Sequence, residues 1–214
     1  MYVPIVCTEP ESGNAFIQAV AGLAAPAPQA EILFDRRPVR LETLATNPET
    51  HAGWQEKVNQ ASAALLLIHF MDVAALQALR TRYARLATNR QAPFAAVLLR
   101  HEGEEEFKIS CSSCGQKLWM REEDMGKKGR CPNCAEAFII PSAMDYLRDR
   151  LCLPGNVPVM RVTRGNVELC RGALANLLAR TASGLVGMKD LPADDMLKRA
   201  TVPIQIDQGS VQVG

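Results

Sequence analysis

Apolar positions along the chain fall into short runs that alternate with helix-spaced patterns, the signature of βα units around a mostly parallel sheet. Residues 2–7 predict a strand, and 14–24 a helix with Phe16, Ile17, Val20 and Leu23 on one face. Two strands are expected at 30–34 and 39–44, joined across Arg36, Arg37 and Pro38, and then a helix over 52–61 that turns Trp54, Val58 and Ala61 inward. The continuous apolar run 63–70 is of the kind buried on both faces of a parallel sheet. Asp72 is a cap for the next helix, in which Leu76, Leu79, Tyr83 and Leu86 recur at spacings of three and four with arginines on the solvated side.

Residues 94–99 predict another buried strand. Further on, Ser142 caps a helix through Leu151, 157–162 predicts a strand, and Asn166 caps a helix that turns Val167, Cys170, Leu174 and Leu177 inward. The fold class expected is therefore α/β, with a mostly parallel sheet flanked by helices.

Between these halves the pattern breaks. Residues 107–141 read FKISCSSCGQKLWMREEDMGKKGRCPNCAEAFIIP, a C-x2-C-x16-C-x2-C arrangement with the spacing of a four-cysteine zinc site. Two residues between cysteines let one turn present both sulfurs to a single ion, and the spacer brings a second such turn opposite the first. The metal ligands are thus Cys111, Cys114, Cys131 and Cys134, and Zn2+ the expected ion, ahead of a redox pair or an iron cluster. Phe107 and Ile109 before one pair, and Phe138, Ile139 and Ile140 after the other, supply short strands, and Gly126 and Gly129 supply turns. Four thiolates leave no open coordination position, so the metal is expected to be structural.

These residues resemble the zinc-ribbon family, in particular ribbons with a Cys-x-x-Cys-Gly start, here Cys111 to Gly115, and a Cys-Pro-x-Cys second knuckle, here Cys131 to Cys134. Ala135 departs from the pattern, standing where many such ribbons have glycine. The division expected is one discontinuous α/β domain over 1–106 and 142–182, an inserted ribbon over 107–141 and a C-terminal extension over 183–214. In that extension 193–200 is a helical stretch, and Val202, Ile204 and Ile206 alternate as in a strand that could pair with a sheet edge.

The order strand, helix, two strands, then alternating helix and strand resembles the Ras-like small GTPases once the ribbon is set aside. That family's phosphate loop, GxxxxGK[ST], would fall on Thr8 to Ala15, TEPESGNA. Gly13 matches, but Asn14 stands for the lysine, Ala15 for the magnesium ligand, and Glu9 and Glu11 put negative charge beside any phosphate. The acidic magnesium-side motif would fall near LETLATN, where Glu42 is a poor substitute. The guanine-reading motif would follow 94–99, where the chain has Arg100, His101 and Glu102. The resemblance therefore implies a pseudo-GTPase with a degenerate phosphate loop (Thr8, Gly13, Asn14, Ala15) and no bound nucleotide.

Charge and the remaining chemistry narrow the function. The formal net charge is +1, so no global field draws the protein to nucleic acid or an anionic membrane. Lys117, Arg121, Lys127, Lys128 and Arg130 give the ribbon basic surface beside Trp119, but Glu122, Glu123, Asp124 and Glu136 cut its net charge to about +2. No apolar run approaches the roughly 20 residues of a membrane span. The N-terminal MYVPIVCTEPESGN does not read as a secretory signal, and a cytoplasmic location is expected. Cys7, Cys152 and Cys170 are expected in the core. His51, His69 and His101 lack partners at metal or triad spacing, Ser12, Ser62 and Ser183 lack a nucleophile elbow, and Glu102 to Glu106 read as a solvated hinge.

The function expected is that of a nonenzymatic adaptor or scaffold subunit that docks protein partners, in a hetero-complex, through its ribbon and C-terminal tail. A zinc-ribbon nucleic-acid binder is the alternative, and a divergent nucleotide-binding switch or GTPase the second.

Overall fold

The computed structural model describes residues 1–45, 54–69, 76, 80 and 93–182, the side chains of Trp54 and Gln55 excepted. The expected cap Asp72, the helical positions Leu79, Tyr83 and Leu86, His51, Phe70, Ser183 and the extension 183–214 lie outside the described residues.

Six strands form the main sheet: β1 (Tyr2–Cys7), β2 (Gln29–Phe34), β3 (Arg37–Ala45), β4 (Ala64–His69), β5 (Phe94–Arg100) and β10 (Val159–Thr163). Their order is β10-β5-β4-β1-β3-β2, parallel throughout except that β2 runs antiparallel to β3. The helices bounded within the described residues are α1 (Pro10–Ala21), α2 (Trp54–Asn59), α3 (Ala143–Arg150) and α4 (Val167–Ala182). Leu76, buried, and Arg80, exposed, are also helical, as the pattern there predicts.

Because successive strand residues point to opposite faces, the sheet carries two cores. Val3, Ile5, Leu65, Leu67, Val97 and Leu99 pack with α1 and α4 on one face. Val6, Leu44, Leu66, Ile68 and Leu98 pack with Val58 of α2, Leu76 and Leu147 of α3 on the other. Central strands buried on both faces need an unbroken apolar run, which 63–70 and 94–99 provide.

Several boundaries differ from the sequence expectation. α1 starts at Pro10, not Asn14, because proline suits the first helical turn, and it stops at Ala21 because Gly22 takes the left-handed conformation at φ 69°. β2 and β3 are joined by a two-residue turn, Asp35 and Arg36, at φ 48° and 60°, the geometry that matches the twist of a hairpin. Ser142 does cap α3, accepting from the Asp145 N–H at 3.0 Å, and Asn166 Oδ1 caps α4, accepting from the Leu169 N–H at 3.0 Å. Val167 is exposed, since it opens α4 outside the face on which Cys170, Leu174 and Leu177 are buried. Cys152 is likewise exposed, at φ 51° just past α3, whereas Cys7 and Cys170 are in the core as expected.

Candidate metal centre

In chain order between β5 and α3 lie two antiparallel hairpins. β6 (Glu106–Ser110) pairs with β7 (Lys117–Arg121), a single 3-10 turn spans Glu122–Asp124, and β8 (Lys128–Arg130) pairs with β9 (Ala137–Ile139). Each hairpin ends in a knuckle carrying one cysteine pair, and the knuckles repeat each other bond for bond. In the first, the Cys111 N–H donates to Gln116 O at 2.8 Å and the Gly115 N–H to Cys111 O at 3.0 Å. In the second, the Cys131 N–H donates to Glu136 O and the Ala135 N–H to Cys131 O, both at 2.9 Å. Both turns need a left-handed residue four positions after the first cysteine: Gly115 at φ 74° and Ala135 at φ 60°. Gly126 turns at φ 81°, but Gly129 is not a turn residue. It lies in β8 beneath the Phe138 ring, where a Cβ would stand 3.1 Å from Cζ and require the ring to shift by a few tenths of an ångström.

The knuckles bring the four sulfurs of Cys111, Cys114, Cys131 and Cys134 within 4.8 Å of one another. Cys111 and Cys134 stand 3.7 Å apart and Cys114 and Cys131 3.6 Å. The first cysteine of each pair is buried and the second exposed, so the cluster sits at the rim of the core with one side toward solvent. Cys114 is lowered to about 6 by the Asn133 side chain, then by a backbone hydrogen bond from Gln116. At Cys134 a backbone hydrogen bond from Glu136 lowers the value, yet desolvation and the neighbouring sulfurs outweigh it and push it up to about 12. The neighbouring sulfurs act in opposite directions on the two thiols, because a first thiolate opposes a second so close to it. A bound cation removes that opposition, and four thiolates at these distances can hold a metal ion.

Sequence spacing picks out the four cysteines but not what holds the hairpins in place. Phe107, Ile109 and Leu118 are buried in the same cluster as Leu66, Leu98 and Leu147, so hairpin and sheet share one core. Tyr146 Oη of α3 accepts from the Ser110 N–H at 2.8 Å, and Arg150 Nη2 donates to Ser110 O at 3.2 Å. Glu122 reaches two strands of the main sheet, accepting from Arg100 of β5 at 3.2 Å and from Arg161 of β10. These partners are distant in sequence, and no local pattern signals them.

The other singled-out residues are dispersed. Only Thr8 and Glu9 connect β1 to α1, so Gly13, Asn14 and Ala15 are helical; Gly13 packs on Thr43 and Cys7. Glu42 is committed to the Tyr2 hydroxyl at 3.0 Å and to Lys57. At the end of β5, Arg100 donates to Glu104 O and Glu122, and just beyond it the His101 N–H donates to Glu104 Oε2 at 2.8 Å. The His69 and His101 rings contact each other, centroids 5.4 Å apart. On the ribbon, Arg121 pairs with Glu106 and Glu123, and Lys127 with Asp124. No helix among the described residues is long and apolar enough to cross a membrane.

The chain matches no protein-family model and no curated protein.

Proposed function

We propose that this protein is a nonenzymatic, partner-binding domain of Ras-like architecture whose ribbon is an insertion held by structural zinc. The observation that carries the reading is the junction of β1 and α1. A strand order with β1 between β3 and β4, and antiparallel β2 outside β3, is what a Ras-like resemblance implies. In such a sheet the loop after β1 is where backbone N–H groups would cradle phosphates. Here that loop is two residues long, Glu9 stands at the helix N-cap, and the glycine of the degenerate motif is spent on helix–sheet packing. No backbone remains to wrap a phosphate, and the carboxylates of Glu9 and Glu11 repel one.

Zinc is favoured by the donor set. Four sulfurs tetrahedral about zinc, with bonds of about 2.3 Å, stand about 3.8 Å apart, close to the 3.7 Å of Cys111–Cys134 and the 3.6 Å of Cys114–Cys131, in a set whose sulfurs all lie within 4.8 Å. All four positions being thiolate, the ion has a structural role and leaves substrate no place to bind. A partner-binding role then falls to the surface, where the ribbon exposes Trp119, Met125 and Ile139.

Calorimetric titration of the zinc-loaded protein with GTP and with ATP, each with magnesium, tests this directly. No heat and no thermal shift at millimolar nucleotide is expected; micromolar binding would mean the protein is a switch or hydrolase.

A further inference from the structure

The outward face of the β6–β7 hairpin combines an unpaired strand edge with unpaired positive charge. In this register the hydrogen bonds from the Cys111 N–H to Gln116 O and from the Glu122 N–H to Glu105 O mark the bonded pairs at either end. Because bonded and non-bonded pairs alternate along an antiparallel ladder, the pairs Glu106–Arg121, Lys108–Trp119 and Ser110–Lys117 direct their main-chain groups away from the hairpin. On the β6 side α3 covers this edge at Ser110, through Tyr146 and Arg150. On the β7 side the main-chain N–H and C=O of Trp119 and Arg121 meet no partner among the described residues.

The side chains beside that edge are not neutral. Three of the ribbon's four carboxylates, Glu122, Glu123 and Asp124, are engaged by arginine or lysine. Lys117 has no ion-pair partner among the described residues, and Lys108, opposite Trp119 in the ladder, rests its ammonium 4.2 Å from the centroid of that ring. Trp119 is 52% exposed, and its indole N–H is unpartnered. Beside this edge the uncommitted groups are thus the Lys117 ammonium, the indole N–H of Trp119 and alternating main-chain donors and acceptors.

We propose that the β7 edge receives an extended, acidic segment of a partner protein, which adds a strand beside Trp119 and Arg121 and sets carboxylates against Lys108, Lys117 and the indole N–H. The proposal rests on the partner-binding reading above and specifies its surface. A strand satisfies both N–H and C=O groups of an open edge, whereas a phosphodiester offers only acceptors. Lys108 already occupies one face of the indole that base stacking would use. Protein is therefore favoured over single-stranded nucleic acid.

Selection of a random peptide library on the full-length, zinc-loaded protein tests it, with the enriched peptides resynthesised and titrated by tryptophan fluorescence. Enriched peptides should be rich in aspartate and glutamate and poor in proline. Alternate backbone N-methylation should abolish their binding, and the exposed substitutions Lys108→Glu and Lys117→Glu together should weaken it roughly tenfold with zinc content unchanged. No acidic enrichment, equal binding by N-methylated peptides, or saturable binding of an oligothymidylate in place of peptides would each overturn the proposal. A protein that selects no such peptide yet binds no nucleotide loses this surface alone. One that binds nucleotide loses the underlying reading of the domain.

Discussion

A Cβ on Gly13 would stand 2.6 Å from Thr43 Cγ2 and 3.0 Å from Cys7 Sγ, so α1 lies closer to the sheet than any side chain there allows. Gly13→Ala is expected to destabilise the protein by roughly 1–3 kcal/mol through forced displacement, read as a lower denaturant midpoint at unchanged slope. Ala135 is the reverse case. Its methyl group occupies a left-handed turn that glycine adopts without strain, and Ala135→Gly should raise stability by up to about 1 kcal/mol, the relieved strain being partly offset by unfolded-chain entropy. No change, or a loss, in thermal midpoint would show that the second knuckle does not need that geometry. Cys7 makes a third residue-scale case. Burial pushes its thiol from 9.0 up to about 12, so the folded state favours the neutral form. Its contribution is fully present below about pH 9 and is lost as pH rises toward 12. Stability measured across that window should fall less steeply in Cys7→Ala than in the parent protein.

The elements separate what was legible in the sequence from what was not. The seven cysteines fall into three environments, which a thiol reagent should report in order. Cys152, exposed beyond α3, reacts first; Cys111, Cys114, Cys131 and Cys134 react on chelation; Cys7 and Cys170 react only on unfolding. Prompt reaction of five thiols without a chelator would mean that no metal protects the cluster. The cysteine cluster was readable because a knuckle is local: both cysteines of a pair and the turn between them lie within a few residues. The caps Ser142 and Asn166 were readable for the same reason. α1 was misjudged because its first turn carries Pro10, Glu11 and Ser12 rather than apolar residues, so periodicity alone begins the helix at Asn14. Cys152 and Val167 were misjudged because an apolar neighbourhood does not tell the covered face of a short helix from its ends. The ties of Glu122 to Arg100 and Arg161 join strands far apart in the chain, and no periodicity records them.

At the scale of the whole molecule, the strands and the mostly parallel sheet followed from apolar runs, but the strand order and the sharing of one core by ribbon and sheet did not. A C-x2-C pattern predicts a module held by its own metal. Here Phe107, Ile109, Leu118, Cys111 and Cys131 belong to the cluster that covers one face of the main sheet. They extend the layer to which α2, Leu76 and α3 contribute on that face. We therefore expect metal binding at the four cysteines to be coupled to folding of the α/β body, because the hairpins that carry them share one core with Leu66, Ile68 and Leu98. Amide hydrogen exchange of the zinc-loaded protein, before and after chelation, tests this most directly. Chelation should deprotect β6 to β9 and, with them, α3 and the β5–β10 edge, while β1, β3 and α1 keep most of their protection. Deprotection confined to residues 107–141, or none at all, would contradict the account.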